Sequence, residues 1–320
     1  MTVLIPKNVY LTIVAACVRY ANKRIVKDDW LEVSGIFIGR NEGNDVYITK
    51  SYPIMHQKQQ EQQESVIDQY KWSKEDYEAL SIIDDEAFSN GEFTVGWWHS
   101  HPGFKVMMSH IDIKTTLSYQ TNNPLAVSLV FNPERLVRQI ELAEKKGDPV
   151  KQLEGDPGFK IFRLDDVNRG IQASYHTADY IIKGFDTPEQ MVMLTQKFLI
   201  DITNMFPKDN LFETYEKFVN NKINELNSLL QGVDEYLSTL TRKGESHRIH
   251  EVLTNQTRDI RKFIAESFIK IENIRQFMNY LEYKERSTIV PKVEIILAEW
   301  DSTVSQLNAK LTAITKKYAF

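Results

Sequence analysis

The apolar positions of this chain keep two rhythms, and the change between them falls near Asp186. Before it, short strand-like runs are mixed with helical patterns. Residues 9–26 predict an opening helix. Residues 34–39 (SGIFIG) and 45–49 (DVYIT) read as strands around a turn at 40–44. Residues 73–89 predict a helix capped by Ser73, with Asp76 three residues on and Tyr77, Leu80, Ile83 and Phe88 on its apolar side. Residues 94–98 read as a buried strand, 109–119 as a helix and 126–131 (AVSLVF) as a central strand. Residues 134–146 read as a short helix on an insertion, closed by turns at 147–149 and 155–158. Residues 160–164 and 171–176 complete the strands. This mixture predicts an α/β (α+β) domain over residues 1–185, a mixed sheet flanked by helices.

After Asp186 glycine becomes rare and the period lengthens. Val219, Ile223, Leu226, Leu230, Val233, Leu237 and Leu240 alternate spacings of four and three, and so do Val293, Leu297, Trp300, Val304, Leu307, Leu311, Ile314 and Tyr318. Ile271, Ile274, Met278 and Leu281 continue the theme. A sustained seam of this kind predicts long helices with coiled-coil-like packing over residues 186–320. Bends are expected at 244–246 and 287–291. Either the helices close on one another as a bundle, or part of the seam zips onto a partner subunit.

Composition narrows the picture only a little. The chain has 320 residues and a net charge of −5, with Lys and Arg spread along it. No basic patch points to nucleic acid, and no apolar run approaches the length of a membrane span. Cys17 is the single cysteine, which rules out an intrachain disulfide or a cysteine metal site and favours a cytoplasmic location, with the nucleus also open in a eukaryote. Val14-Ala15-Ala16-Cys17 has the form of a lipoprotein cleavage box, but the basic residue before it is Lys7 alone and the pattern runs on through Tyr20, so a first helix is the favoured reading. Residues 55–64 (MHQKQQEQQE) are too polar to bury much surface and read as a loop.

Chemistry concentrates in residues 96–112, GWWHSHPGFKVMMSHID. A strand running into His99 puts His99 and His101 on one side of the chain. Pro102-Gly103 then turns it, and Ser109 and Asp112, three apart, share a helix face. His99, His101 and Asp112 can thus close three corners of a tetrahedron, leaving the fourth for water, the ligand count of a catalytic zinc site. Glu32, upstream in LEVSG, and Ser109 remain for general-base and oxyanion roles. Taken singly, His-x-His can be two surface residues and Ser109-x-x-Asp112 a helix cap. Taken together they favour a metal site. His110 reads as a surface residue, and His56, His176, His247 and His250 have no ligand-like company.

These residues resemble the JAMM (MPN+) metalloprotease motif: an upstream Glu, then His-Ser/Thr-His-Pro, seven residues, and Ser-x-x-Asp. Glu32, His99, His101, Ser109 and Asp112 occupy its five functional positions without gaps. The context is most similar to the deubiquitinating subunit of the proteasome lid and next to the isopeptidase subunit of the signalosome, over residues 5 to about 185. The sequence departs from them at Val106-Met107-Met108, where Cys-Trp-Leu is usual, and in its insertion at 134–158. The resemblance implies one Zn2+ per chain on His99, His101 and Asp112, with Glu32 as general base and Ser109 as oxyanion donor. The substrate it implies is an isopeptide bond between a lysine and the C-terminal glycine of ubiquitin or a ubiquitin-like modifier. It also implies that residues 55–68 hold the modifier's tail as an added strand, and that the C-terminal helices join another MPN-type or lid-like subunit. Two alternatives stand beside it: a protease of this family acting on another small modifier or peptide, and a scaffold subunit, against which the intact ligand set argues.

Overall fold

Among the described residues, the strand-like runs of the first half assemble into a mixed eight-stranded sheet flanked by helices. In chain order the elements are β1 (Thr2–Pro6), α1 (Lys7–Tyr20), β2 (Leu31–Glu42), β3 (Asp45–Lys58), α2 (Lys74–Ser89), β4 (Phe93–Ser100), α3 (His110–Asn122), β5 (Val127–Phe131), β6 (Phe159–Leu164), β7 (Tyr175–Thr177) and β8 (Asp179–Lys183). The computed structural model describes residues 1–58, 72–135, 157–187, 190–191, 194–195, 197–200 and 211–318. They divide into two compact units, Met1–Pro207 with Tyr280–Glu285, and Lys208–Asn279 with Arg286–Phe320.

In the first unit the strand order is β7-β6-β5-β4-β2-β3-β1-β8. β2 and β3 form a long antiparallel hairpin, β4 runs antiparallel to β2, and β5 runs parallel to β4. The middle strands carry almost uninterrupted apolar runs because both faces are covered. Val95, Trp97, Trp98, Val127, Leu129 and Val130 are fully buried. Gly35 in β2 is required by a close approach: a Cβ there would stand 2.3 Å from the Tyr52 carbonyl oxygen and 2.5 Å from the Trp98 indole. Gly96 in β4 has φ +155° and passes equally close to Val127 of β5.

The sequence expectations meet several corrections. The opening helix is Lys7–Tyr20, ending earlier than predicted, and a strand, Thr2–Pro6, precedes it. Pro6 has no backbone N–H to give a ladder, so it sits where strand passes into helix. The α2 capping box forms, with Asp76 N–H donating to Ser73 Oγ and Ser73 N–H to Asp76. Its buried face, however, is Asp76, Ala79, Ile83 and Ala87, while Tyr77 and Phe88 are exposed. Small alanines let α2 approach Ile36, Ile38 and Ile54 closely, which the larger aromatics would not. Residues 55–58 are strand rather than loop, and 59–64 lie outside the described residues, as does most of the insertion at 134–158. The single strand expected at 171–176 is a 3-10 turn, Val167–Gln172, followed by two short strands, β7 and β8. Gly170, with φ 58°, breaks the run there.

The second unit is helical. α4 (Leu211–Arg242) and α5 (Ser246–Phe277) pack as an antiparallel pair joined at the left-handed Gly244, φ 73°. The seven seam residues from Val219 to Leu240 are all buried within the chain. α6 (Tyr283–Tyr318) carries Val293, Trp300, Leu307, Leu311 and Ile314 buried along one face. The bend expected at 287–291 lies earlier, in the 3-10 turn Met278–Tyr280, and Pro291 is inside the helix. Among the described residues no helix is long and apolar enough to cross a membrane.

Candidate metal centre

Two strands and one helix N-terminus build the site. β4 delivers His99 as its penultimate residue, and the chain leaves the sheet through His101, whose N–H donates to the Phe131 carbonyl of β5 at 2.7 Å. α3 starts at His110 with Ser109 as N-cap. Here too a capping box forms: Asp112 N–H donates to Ser109 Oγ at 3.2 Å, and Ser109 N–H donates to Asp112 Oδ2 at 2.6 Å. The cap therefore fixes the Asp112 carboxylate as well as the helix. It leaves the Ser109 hydroxyl hydrogen unspent, because the oxygen acts there only as an acceptor.

Among the described residues, His99, His101 and Asp112 bring ligand atoms within 4.8 Å of one another. Nε2 of His99 stands 3.0 Å from Nε2 of His101 and 3.1 Å from Asp112 Oδ1. Nε2 of His101 stands 3.5 Å from Asp112 Oδ2. Zinc bonds of about 2.0–2.1 Å give tetrahedral edges of about 3.3–3.4 Å, and these separations, which reach a different carboxylate oxygen from each histidine, are close to that length. The tautomer agrees. Nδ1 of His101 faces the Lys105 carbonyl at 3.0 Å, and a carbonyl can only accept, so the proton sits on Nδ1 and the Nε2 lone pair points into the cluster. These residues fit a metal ion of the zinc class.

Burial sharpens the electrostatics. His99 is fully buried, and that burial holds its pKa down against the pull of Asp112. His101 is also penalised by burial, but the hydrogen bond and charge of Asp112, the Lys105 carbonyl and the charge of Glu32 together raise it. Asp112 is held far below the usual carboxylate range: burial opposes this, but both histidines overcome it. The His99 ring stacks on Trp97 at 4.4 Å and 10°, and Trp97 Nε1–H donates to Thr116 Oγ1 of α3 at 3.0 Å.

Strand alternation places Glu32. Ser34 pairs with His99, and Glu32 pairs with Gln57, so Glu32 lies on the same face of β2 as Ser34 and on the side of the histidines. Its charge is felt at His101. His110 is exposed and outside the cluster. His56 lies on the opposite face, and His176 pairs with Asp165 at the surface.

Sequence reasoning missed Ser100. Its Oγ accepts the Val33 N–H at 2.9 Å, within the buried interior. Trp97, Thr116 and the Lys105 carbonyl were missed as well. Trp97 was within reach, since it stands two residues before His99 in a strand and so on its face. The Lys105 contribution is a backbone atom and leaves no trace in residue type.

Residues 1–125 match the model of the family described as JAB1/Mov34/MPN/PAD-1 ubiquitin protease. COP9 signalosome complex subunit 5 of Drosophila melanogaster is 28% identical over 107 residues, 33% of this chain and 31% of that protein. The subunit of the same name from Caenorhabditis elegans is 23% identical over 228 residues, 68% of this chain and 59% of that protein. The 26S proteasome regulatory subunit rpn11 of Schizosaccharomyces pombe is 45% identical over 47 residues, 15% of either chain. The chain thus spans at most 59% of the length of these relatives.

Proposed function

From a chain whose N-terminal domain is a JAB/MPN domain, we propose a zinc-dependent isopeptidase that releases ubiquitin or a ubiquitin-like modifier from substrate lysines. The convergence of His99 Nε2, His101 Nε2 and the Asp112 carboxylate, with separations from 3.0 to 3.5 Å, carries this reading. His99, His101 and Asp112 would hold one Zn2+. When bound, the ion supplies Lewis acidity, acidifying water and polarising a carbonyl. Glu32 is the general base: it takes the proton of the attacking water and returns it to the departing lysine amine. Ser109, whose hydroxyl hydrogen the helix cap leaves unspent, donates to the oxygen on which negative charge develops. The nucleophile is water, so no cysteine is needed, consistent with Cys17 being buried with its thiol pKa raised by that burial.

The relatives are subunits of the signalosome and of the proteasome, and we extend that to this chain as work within a larger assembly, the helices of residues 211–318 offering the attachment. The test is hydrolysis of an isopeptide-linked ubiquitin substrate by the zinc-loaded protein, alone and beside signalosome or lid subunits. Cleavage abolished both by a chelator and by Glu32→Gln supports the proposal. A chain that binds no zinc is not this enzyme.

A further inference from the structure

Residues 280–285, YLEYKE, belong to the first unit although they stand far along the sequence. Leu281 is buried, 1% exposed. Glu282 reaches His56 of β3, its Oε1 2.5 Å from Nδ1, and the His56 ring stacks on Tyr20 of α1 at 4.2 Å. Tyr283 packs edge-on against Tyr52 of β3 at 5.8 Å and joins the cluster of Ile36, Ile38, Ile54 and Ile83. Lys284 pairs with Asp76 at 2.6 Å, on the oxygen that the α2 capping bond leaves over. Glu285 receives Arg19 of α1 in a bidentate pair, 2.7 and 3.0 Å. Four consecutive residues, Glu282 to Glu285, thus tie α1, β3 and the start of α2.

The place they grip matters for Glu32. Pairing between β2 and β4 stops at Ser34 and His99, so Glu32 lies two residues beyond the last rung on that side. On the other side its partner is Gln57, one rung from the end of the described ladder at Leu31–Lys58. Ladder ends open most readily. His56, the residue gripped by Glu282 and Tyr20, faces Val33 and sits next to Gln57, with its side chain on the face opposite Glu32.

We propose that Tyr280–Glu285 is a positioning strap: it fixes the end of β3 and, through the Glu32–Gln57 pair, sets the general base against the metal centre. The strap rests on the isopeptidase reading for its consequence and on the contacts above for its existence.

The experiment is a charge swap in the full-length, zinc-loaded protein. Arg19→Glu and Glu285→Arg each set like charges together, and the double variant restores an opposite pair. Hydrogen exchange of residues 31–33 and steady-state hydrolysis are measured on all four proteins. Each single variant is expected to exchange faster at 31–33 and to lose roughly ten-fold or more in kcat, with KM and zinc content within about two-fold of the parent, and the swap to recover most of both. Exchange and kcat left unchanged by the single variants overturn the proposal, and so does a swap that recovers the melting temperature without recovering exchange and kcat. Where a single variant does not fold, Glu282→Gln, which keeps size and removes charge, decides by the same two readings. A parent protein that cleaves nothing counts against the isopeptidase reading, and the exchange measurement still tests the strap.

Discussion

The Val33 N–H donates to Ser100 Oγ at 2.9 Å, and this bond extends the joining of the strand that carries Glu32 to the strand that carries His99. It falls just past the last β2–β4 rung, where a backbone partner for Val33 has run out. The hydroxyl stands in for the missing carbonyl. Ser100→Ala leaves a buried donor without its acceptor, a loss of about 1–3 kcal/mol of folding stability. Urea unfolding of the variant checks it. Ser100→Thr keeps the oxygen and is expected to hold stability better than the alanine variant, and equal losses would show that the hydroxyl contributes nothing.

His101 and Asp112 give the proposed metal centre a pH dependence whose sign differs between folding and metal binding. The folded-state pKa of His101 is raised, so its contribution to the stability of the metal-free protein is full below the unfolded value of about 6.5 and is lost as pH rises through the folded value. The stability gap between the parent and His101→Gln, both metal-free, is therefore expected to narrow as pH rises above about 6.5. Zinc requires the neutral ring, so its affinity is expected to rise over the same interval, with proton release on binding. Asp112 is held far below the carboxylate range, so its own contribution is lost only as pH falls below the unfolded value of about 4. Calorimetric titration in buffers of different ionisation enthalpy counts the protons. An affinity flat across that range would sink the assignment of His101 as a ligand.

Gly35 sits where β2, β3 and the Trp98 indole meet, and its role is steric. A methyl group there collides with the backbone of Tyr52 and with a fully buried ring, neither of which can move aside cheaply. Gly35→Ala is expected to cost about 2 kcal/mol or more, at the high end of overpacking effects. Denaturant midpoints measure this. Because Gly35 stands in the strand of Glu32 and pairs with Trp98, the neighbour of His99 in β4, the surviving folded fraction is also expected to lose activity.

Much of this was legible in the residues. The Ser109 and Asp76 capping boxes could be read because a cap is a local hydrogen bond at fixed spacing, and Val219 to Leu240 because a helical seam is a local periodicity. What escaped depends on distant partners. Tyr77 and Phe88 have the right spacing for a core face, yet Ala79, Ile83 and Ala87 win it because Ile36, Ile38 and Ile54 allow only a close approach. The bend expected at 287–291 lies at Met278–Tyr280 because Leu281 and Tyr283 pack within the first unit. His56 looked solitary because its partner, Glu282, stands far along the chain.

Ser109 holds two roles that one substitution can separate. As N-cap it accepts the Asp112 N–H, and as proposed oxyanion donor it offers its hydroxyl hydrogen. Glycine is nearly as good an N-cap as serine, so Ser109→Gly is expected to cost only a few tenths of a kcal/mol in stability. It removes the donor altogether, so kcat is expected to fall by about 10²–10³ with KM little changed. Asp112 keeps its bond from the residue 109 backbone N–H in this variant, so zinc content is expected to stay whole. Melting temperature, zinc content and kcat measured together separate the roles. A fall in all three would mean that Ser109 acts through the helix and the carboxylate it orients, whereas a fall in kcat alone would place its hydroxyl at the reacting carbonyl.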